Sequence, residues 1–334
     1  MFVSLKEVFQ AERERTVPGH VNLLHYLGAL TFTFFLLQIA TGILLMIYYR
    51  PSVAAAHYST AVIMDEVRVG WLIRSLHHWG SHLLILLILL HVIRVYFSRA
   101  YQRPRQLTWA GGICLLIVAL ALAFTGTLLP WDQYAYWYTD SARRTISGIP
   151  GIGPALLTLL WGGWELGEEV LLRFYAFHIA VLPWLAFLFL FLHMFLVWRL
   201  GIKEPAVAQC TQASSTPFFP DFLLNIMIAV FLVGGLLLSV ALVFPPPLLE
   251  AADLLTPLLD ARPHWYFLPV RELLLHVSGS IGTLGLGAFF LVLFLVPLLD
   301  HEEVQSAWKK ALQRGLGLAV IALLLFLAMK GYLR

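Results

Sequence analysis

GWLIRSLHHWGSHLLILLILLHVIRVYF, residues Gly70–Phe97, is the stretch that decides the fold. Between Arg74 and Arg94 its only ionisable side chains are four histidines in a field of leucine and isoleucine. A membrane-spanning helix needs roughly 20 apolar residues at 1.5 Å each, which this segment supplies. Ionisable groups at that depth are costly, so the histidines call for a function. His77 and His91 are fourteen residues apart, about 1400° of helical turn, which leaves them within ~40° of one face. His78 lies roughly 140° from His91, and His82 lies on nearly the opposite face. His78 and His82 read as polar lining or solvent-facing residues near the outer end of the helix.

A second apolar stretch, Phe174–Trp198, carries His178 and His193, fifteen residues apart and again on one face within ~60°. Each pair spans roughly 21–23 Å along its helix. The composition agrees with a lipid environment. Of 334 residues, 60% are hydrophobic and 12% charged, against ~25% charged in a soluble domain. A net charge of +3, spread along the chain, gives no reason to expect nucleic acid. Cys114 and Cys210 form neither a disulfide framework nor a CxxC or CxxCH motif; they read as a small core residue and a loop residue. The polar start, Met1 to Thr16, is not expected to be a cleavable signal.

Working outward, seven segments are long and apolar enough to span. They are A near Gly28–Tyr49, B near Leu72–Phe97, C near Thr108–Leu129, D near Phe174–Trp198, E near Phe222–Val243, F near Ile281–Leu299 and G, the shortest, near Leu316–Met329. Ile146–Trp161 is broken by glycine and proline and reads as surface-lying; Phe2–Glu14 reads as an interfacial helix. The B–C loop carries Arg99, Arg103 and Arg105, so the positive-inside bias places it in the cytoplasm. The N-terminus, with Lys6, Arg13 and Arg15, and the loop after F, with Lys309, Lys310 and Arg314, fall on the same side. The expected fold is therefore all-α, an integral membrane bundle of seven transmembrane helices.

Spans B and D run in the same direction, so His77 falls level with His178 and His91 level with His193. Two facing pairs of neutral imidazoles are what two bis-histidine haems require. The first four spans are thus expected to enclose two haems, with iron ligands His77, His178, His91 and His193. The bland alternative is a set of helix-packing hydrogen bonds. Glycines supply a separate signal. Gly28 and Gly42 in span A, and Gly112 and Gly126 in span C, repeat the fourteen-residue step and leave room for a flat plate against the helix. Ordinary small-residue packing is the other reading of those glycines.

At Gly70–Phe97, Thr108–Trp137 (TWAGG…FTGTLLPWDQYAYW), Arg173–Pro183 (RFYAFHIAVLP) and Gln38, Thr41 and Gly42 (QxxTG), the sequence resembles the cytochrome b family of bc and b6f complexes, over nearly the whole chain. The fifteen-residue step in span D, HVNLLHYLG, YYRPSV and LPWDQ resemble cytochrome b6, and the last three spans resemble subunit IV of the same complex. The resemblance implies a four-span di-haem module at 1–200, a connector at 201–220 and a three-span module with a quinol-site loop at 221–334. It implies two haems b, quinone and quinol as ligands, and Gln38 among the cofactor-binding residues. The implied partners are a Rieske-type iron–sulfur protein or another redox subunit, a c-type cytochrome, and a second copy within a larger complex. The implied setting is a prokaryotic cytoplasmic membrane with the N-terminus in the cytoplasm. Tyr26 stands where cytochrome b6 carries its haem-attaching cysteine, so no covalent haem is expected.

The family's PEWY motif, whose Glu accepts a quinol proton, is replaced here by Pro263-His264-Trp265-Tyr266. His264 is a candidate for the same task, since imidazole titrates near ~6.5. The quinol is expected between this loop and the stretch Trp137–Gly153. Arg74 and Arg94 stand three residues from His77 and His91, on nearly the same faces, and are read as haem-propionate partners. Arg173 is read as a helper of Arg74; snorkelling to the membrane surface is the alternative for each. His20, His25 and Asp221 are candidates for the inner quinone site. The function implied is a di-haem, quinol-oxidising membrane subunit that translocates protons. Two rivals stand beside it: a linear haem conduit without bifurcation, and a transporter or proton channel that uses the histidines without haem.

Overall fold

A computed structural model describes residues 16–18, 21–149, 151–201, 215–258, 261–277, 279–300 and 306–334. The interfacial segment Phe2–Glu14, His20 and Cys210 lie outside these residues. Among the described residues, seven helices are long and apolar enough to cross a membrane: Leu27–Met46 (A), Gly70–Phe97 (B), Gln106–Leu128 (C), Glu168–Leu200 (D), Phe218–Val243 (E), Ile281–Leu299 (F) and Ala307–Leu333 (G). Shorter helices lie between them, among them α1 (Ala56–Asp65), α2 (Gln133–Ser147) and α3 (Leu268–His276). Spans A and F match the expected segments closely. Span G is longer, because its helix also takes in Lys309, Lys310 and Arg314; these are good helix formers, and their charges can reach the interface.

Span D departs from a regular helix where it matters. Its turn Phe177–Val181, which contains His178, is a wide π-type turn. Pro183, at the start of the helix that follows, has no N–H to donate to the carbonyl four residues back, and the turn widens instead. Such a turn absorbs one residue. The fifteen-residue step from His178 to His193 therefore acts as fourteen, and the two rings line up better than a regular helix would allow.

Span A packs on B, C on D, E on B and A, F on C, and G on α3 and B. The membrane core is leucine and phenylalanine from several spans, among them Leu30, Phe34, Leu87, Leu116 and Leu237. Toward the end of the bundle away from the B–C loop, termed outer after the expected topology, a second core including Leu128, Trp131, Leu157, Trp161 and Phe174 roofs the bundle. The stretch expected to lie on the surface does so with one face: Ile152 and Leu159 are exposed, while Leu157 and Trp161 are buried in this core.

Polar bonds tie the last three spans to the first four. On the outer side, Ser75 Oγ donates to the Ala241 carbonyl (2.7 Å), and Trp79 Nε1 to that of Phe244 (2.6 Å). On the inner side, Trp109 Nε1 donates to the Leu293 carbonyl (2.7 Å). There Arg99 also holds Asp300 in a two-armed pair at 2.5 and 2.8 Å. The loop after span E is stitched to the start of α2 by an antiparallel bridge, Asp132 to Ala251. Asp132 caps α2 by accepting from the Ala135 N–H (2.8 Å) and also accepts from Leu249 N–H (3.2 Å). One carboxylate thus fixes both walls of the outer site.

Candidate functional site

The structure brings His77 and His178 together, their ring centres 6.2 Å apart and their planes at 76°. Each outer ring is held from behind at Nδ1. Thr41 Oγ1 lies 2.9 Å from His77 Nδ1, and because that hydroxyl donates to the Leu37 carbonyl (2.8 Å), its oxygen accepts from the ring. His178 Nδ1 donates to the Leu122 carbonyl at 3.0 Å, with Thr125 Oγ1 at 3.3 Å. At the inner level, His193 Nδ1 donates to the Thr108 carbonyl at 2.9 Å. His91 lies within electrostatic reach of His193, and its buried Nδ1 has no hydrogen-bond partner. A proton held on Nδ1 leaves the Nε2 lone pair free to bind a metal.

These residues fit a haem. Two imidazole nitrogens on opposite sides of one ion, each roughly 2 Å from it, put the ring centres roughly 6 Å apart. That is the spacing of His77 and His178. Among the described residues no group of three or more His, Cys, Asp or Glu side chains converges as a metal site. A porphyrin would supply the remaining ligands of an ion held between two imidazoles. All four histidines line one continuous cavity of about 2670 Å³, larger than a single small-ligand pocket.

Each predicted glycine faces one of these histidines. A Cβ on Gly28 would stand 3.3 Å from His91 Cε1, one on Gly42 3.3 Å from His77 Cε1, one on Gly112 3.5 Å from His193 Cε1 and one on Gly126 2.6 Å from His178 Cε1. The missing side chains make room for the imidazole edges, a closer reason than clearance for a plate. Gln38 lines the cavity and lies against Gly80; its buried Nε2 has no partner.

Arg74 and Arg94 both line the cavity. Arg74 donates to the carbonyls of Pro246 (2.8 Å) and Pro247 (3.3 Å), so it also ties span B to the loop after span E. Arg173, expected to help Arg74, bonds elsewhere: its Nη1 donates to the carbonyls of Thr158 and Leu159 (3.1 and 2.9 Å) in the outer cap. Carbonyls left bare by the broken turns at 153–161 claim it. Of the inner candidates, His25 lines the cavity, whereas Asp221 is exposed and does not. Tyr26 is buried against Phe222, ring centres 5.4 Å apart, and Cys114 is a half-buried free thiol.

His264 and Tyr266 of the Pro263–Tyr266 loop line the outer part of the same cavity. Around His264 stand His82 (ring centres 4.9 Å apart), Tyr266 (5.6 Å), Tyr134 (5.8 Å), His78 (5.9 Å) and Tyr138 (6.3 Å). Tyr134 and Tyr138, one helical turn apart on α2, stack at 4°. Burial pushes the His264 imidazole down to about 4 and holds the phenols of Tyr134, Tyr138 and Tyr266 above the usual tyrosine range. Polar lining, one of the two expected roles, holds for His78, which lines the cavity; the place of His78 and His82 beside His264 was missed. Their position off the haem face was the usable signal, because the far side of span B had to face something.

Seven spans, a cage of four around two levels of histidines and a polar aromatic pocket at one end define the class: a multi-pass membrane subunit of an electron-transfer complex. Residues 12–201 match the family described as cytochrome b/b6/petB, and residues 250–334 match cytochrome b (C-terminal)/b6/petD. The chain belongs to the cytochrome b family, of the type that joins a cytochrome b6-like part and a subunit IV-like part in one polypeptide. It is 40% identical over 203 residues to the cytochrome b6 of a strain of Synechococcus elongatus, which covers 61% of this chain and 94% of that protein. To the cytochrome b6 of Chlamydomonas reinhardtii it is 42% identical over 189 residues, 57% of this chain and 88% of that one. A solved chain of a hyperthermophilic respiratory Complex III superposes with a TM-score of 0.88 at 26% identity, covering 98% of this chain and 89% of that one.

Proposed function

We propose that this chain holds two haems b and links an outer quinol-oxidising site to an inner quinone-reducing site, with net movement of charge and protons across the membrane. The observation that carries the reading is the His77–His178 pair at 6.2 Å, with His91 and His193 within electrostatic reach at the other level, in a member of this family. His77 and His178 would hold the outer haem, and His91 and His193 the inner one. Bound haem supplies reversible one-electron chemistry.

The chain's own residues do the rest. The Leu122 and Thr108 carbonyls and the Thr41 hydroxyl fix the imidazole tautomers and make the opposite nitrogens more basic. Arg74 and Arg94, three residues from their ligands, are placed to neutralise propionates. At the outer site His264 is neutral at pH 7 and offers a lone pair for a quinol proton. Tyr134, Tyr138 and Tyr266 stay protonated and so remain donors to a ring oxygen. His25 is the candidate proton donor at the inner end. The chain divides at 201–220 into a haem module and a quinol-site module. It works in a prokaryotic cytoplasmic membrane with the N-terminus inside, as a dimer in a larger complex with a Rieske-type or other redox subunit and a c-type cytochrome.

A second reading keeps the haems and drops bifurcation, and His264 in place of a carboxylate is what favours it. Redox titration of reduced-minus-oxidised spectra of the purified complex tests the haem count; one haem, or none, defeats the proposal. Rapid mixing with quinol plus an oxidant separates the two readings. Haem b reduction triggered by the oxidant supports bifurcation, and reduction indifferent to it supports the conduit.

A further inference from the structure

Trp265 points back from the quinol loop into span B, where its indole Nε1–H donates to His82 Nδ1 at 3.1 Å. An indole nitrogen can only donate, so His82 Nδ1 must be bare and its single proton must sit on Nε2. That Nε2 is buried and has no hydrogen-bond partner in the chain. The His82 ring is packed on four sides by rings: His78 (4.9 Å), His264 (4.9 Å), Tyr266 (5.5 Å) and Trp79 (5.5 Å). All four of these neighbours line the cavity, and His82 stands behind them.

We propose that His82 is a positioning residue of the outer quinol site, a latch that locks the Pro263–Tyr266 loop onto span B through Trp265 and so sets where His264 and Tyr266 meet the quinol. The inference rests on the quinol site proposed above. Three features support it. The bond joins adjacent residues of the loop to span B, since Trp265 sits between His264 and Tyr266. His82 projects from the face of span B opposite the haem-facing histidines, so it can hold the loop without touching an iron ligand. The latch also has a chemical limit: a proton on Nδ1 removes its lone pair and ends the bond. The titratable groups facing His82 are His78 from its own helix and His264 and Tyr266 from the loop; Tyr134 and Tyr138 of α2 face His264 and Tyr266. Among these described neighbours no carboxylate is present to favour the charged form.

The test compares His82→Leu, His82→Asn and Trp265→Phe in the assembled complex. Asparagine puts an amide oxygen near the place of Nδ1 but cannot be protonated. Leucine and the phenylalanine variant each remove one half of the bond. With haem content and midpoint potentials unchanged, His82→Leu and Trp265→Phe are expected to lower kcat/KM for quinol roughly tenfold. His82→Asn is expected to recover most of that loss and to flatten part of the acid limb of the pH profile. Amide exchange of residues 261–277 should rise in the leucine and phenylalanine variants and stay near wild type in the asparagine one. Wild-type rates, pH profile and exchange in all three would overturn the latch. Wild-type complex that fails to reduce its haems with quinol would instead overturn the site on which the latch depends. If His82→Leu does not assemble, the Trp265→Phe and His82→Asn pair decides alone.

Discussion

Alanine at Gly126 puts the haem cage to its hardest test, because that glycine lies closest to a histidine. A Cβ there would stand 2.6 Å from His178 Cε1, 3.1 Å from Nδ1 and 3.3 Å from Nε2. Ordinary contact begins near ~3.4 Å, so the ring or span C must give way by roughly 0.8 Å. The ring is not free to do so, since Nδ1 is held by the Leu122 carbonyl at 3.0 Å and faces Thr125 Oγ1 at 3.3 Å. Overpacking of this kind costs ~1–3 kcal/mol, and a strained or broken anchor adds ~1 kcal/mol. Alanine's better helix propensity returns ~1 kcal/mol. The net, about 1–3 kcal/mol, falls on the outer level alone. If it acts on one oxidation state more than the other, each 1.4 kcal/mol moves a one-electron midpoint by ~60 mV. Gly112→Ala is the internal control, because its Cβ would meet His193 Cε1 at 3.5 Å, ordinary contact. Redox titration of both variants should show a displaced or missing high- or low-potential component in Gly126→Ala and a normal pair in Gly112→Ala. Two unperturbed haems in Gly126→Ala, or greater damage in Gly112→Ala, would refute the reasoning.

Three further outcomes are expected. Thr41→Val removes the acceptor of the His77 Nδ1 proton, makes that ligand less basic and should raise the outer midpoint by tens of mV, read in the same titration; a fall or no change contradicts the assigned donor direction. His264, lowered by burial to about 4 from an unfolded value near ~6.5, binds its proton less readily folded than unfolded. Its contribution to stability is therefore complete above ~6.5 and is lost as pH falls toward about 4, at most ~3 kcal/mol; His264→Gln should flatten that part of a melting-temperature-versus-pH curve. Asp300→Asn weakens the two-armed pair with Arg99 and the bond from Tyr101 Oη (2.6 Å), and should cost ~2 kcal/mol, seen as a melting temperature several degrees lower with haem potentials intact.

The meeting of the span histidines and glycines was legible because it obeys the simplest rule a helix has. Equal steps on one face survive in the sequence, and His77, His91, Gly28, Gly42, Gly112 and Gly126 all show them. Even there, periodicity put His178 and His193 on one face only to within ~60°, since it assumes a regular helix, whereas the turn before Pro183 is wide. The quinol side was legible only as a motif. What surrounds His264 comes from span B, α2 and the loop itself, up to 186 residues apart in sequence, and depends on how Asp132 clamps the E–F loop to α2. No local pattern encodes such a meeting. Arg173 failed for a similar reason: its nearness to His178 along the chain said nothing of the unpaired carbonyls at Thr158 and Leu159 that take it.

Span B unites the two sides. Its haem-facing edge presents His77 and His91, and its far edge, roughly half a turn away, presents His82 to the quinol loop. His78 sits between these edges, next in chain to an outer-level histidine and 5.9 Å, ring to ring, from His264. The group proposed to take a quinol's proton and the one proposed to sit beside its electron acceptor are thus borne on a single rigid element and its latched loop. Span B is itself fixed in rotation by Ser75 and Trp79, which bond to the end of span E, and by Gly80, which admits Gln38 of span A at close range. A helix pinned at three successive points on its outer half cannot turn by one residue without losing both sites at once. On the proposed function, proton and electron acceptance would be coupled through the shared position of one helix, with no conformational signal required between them.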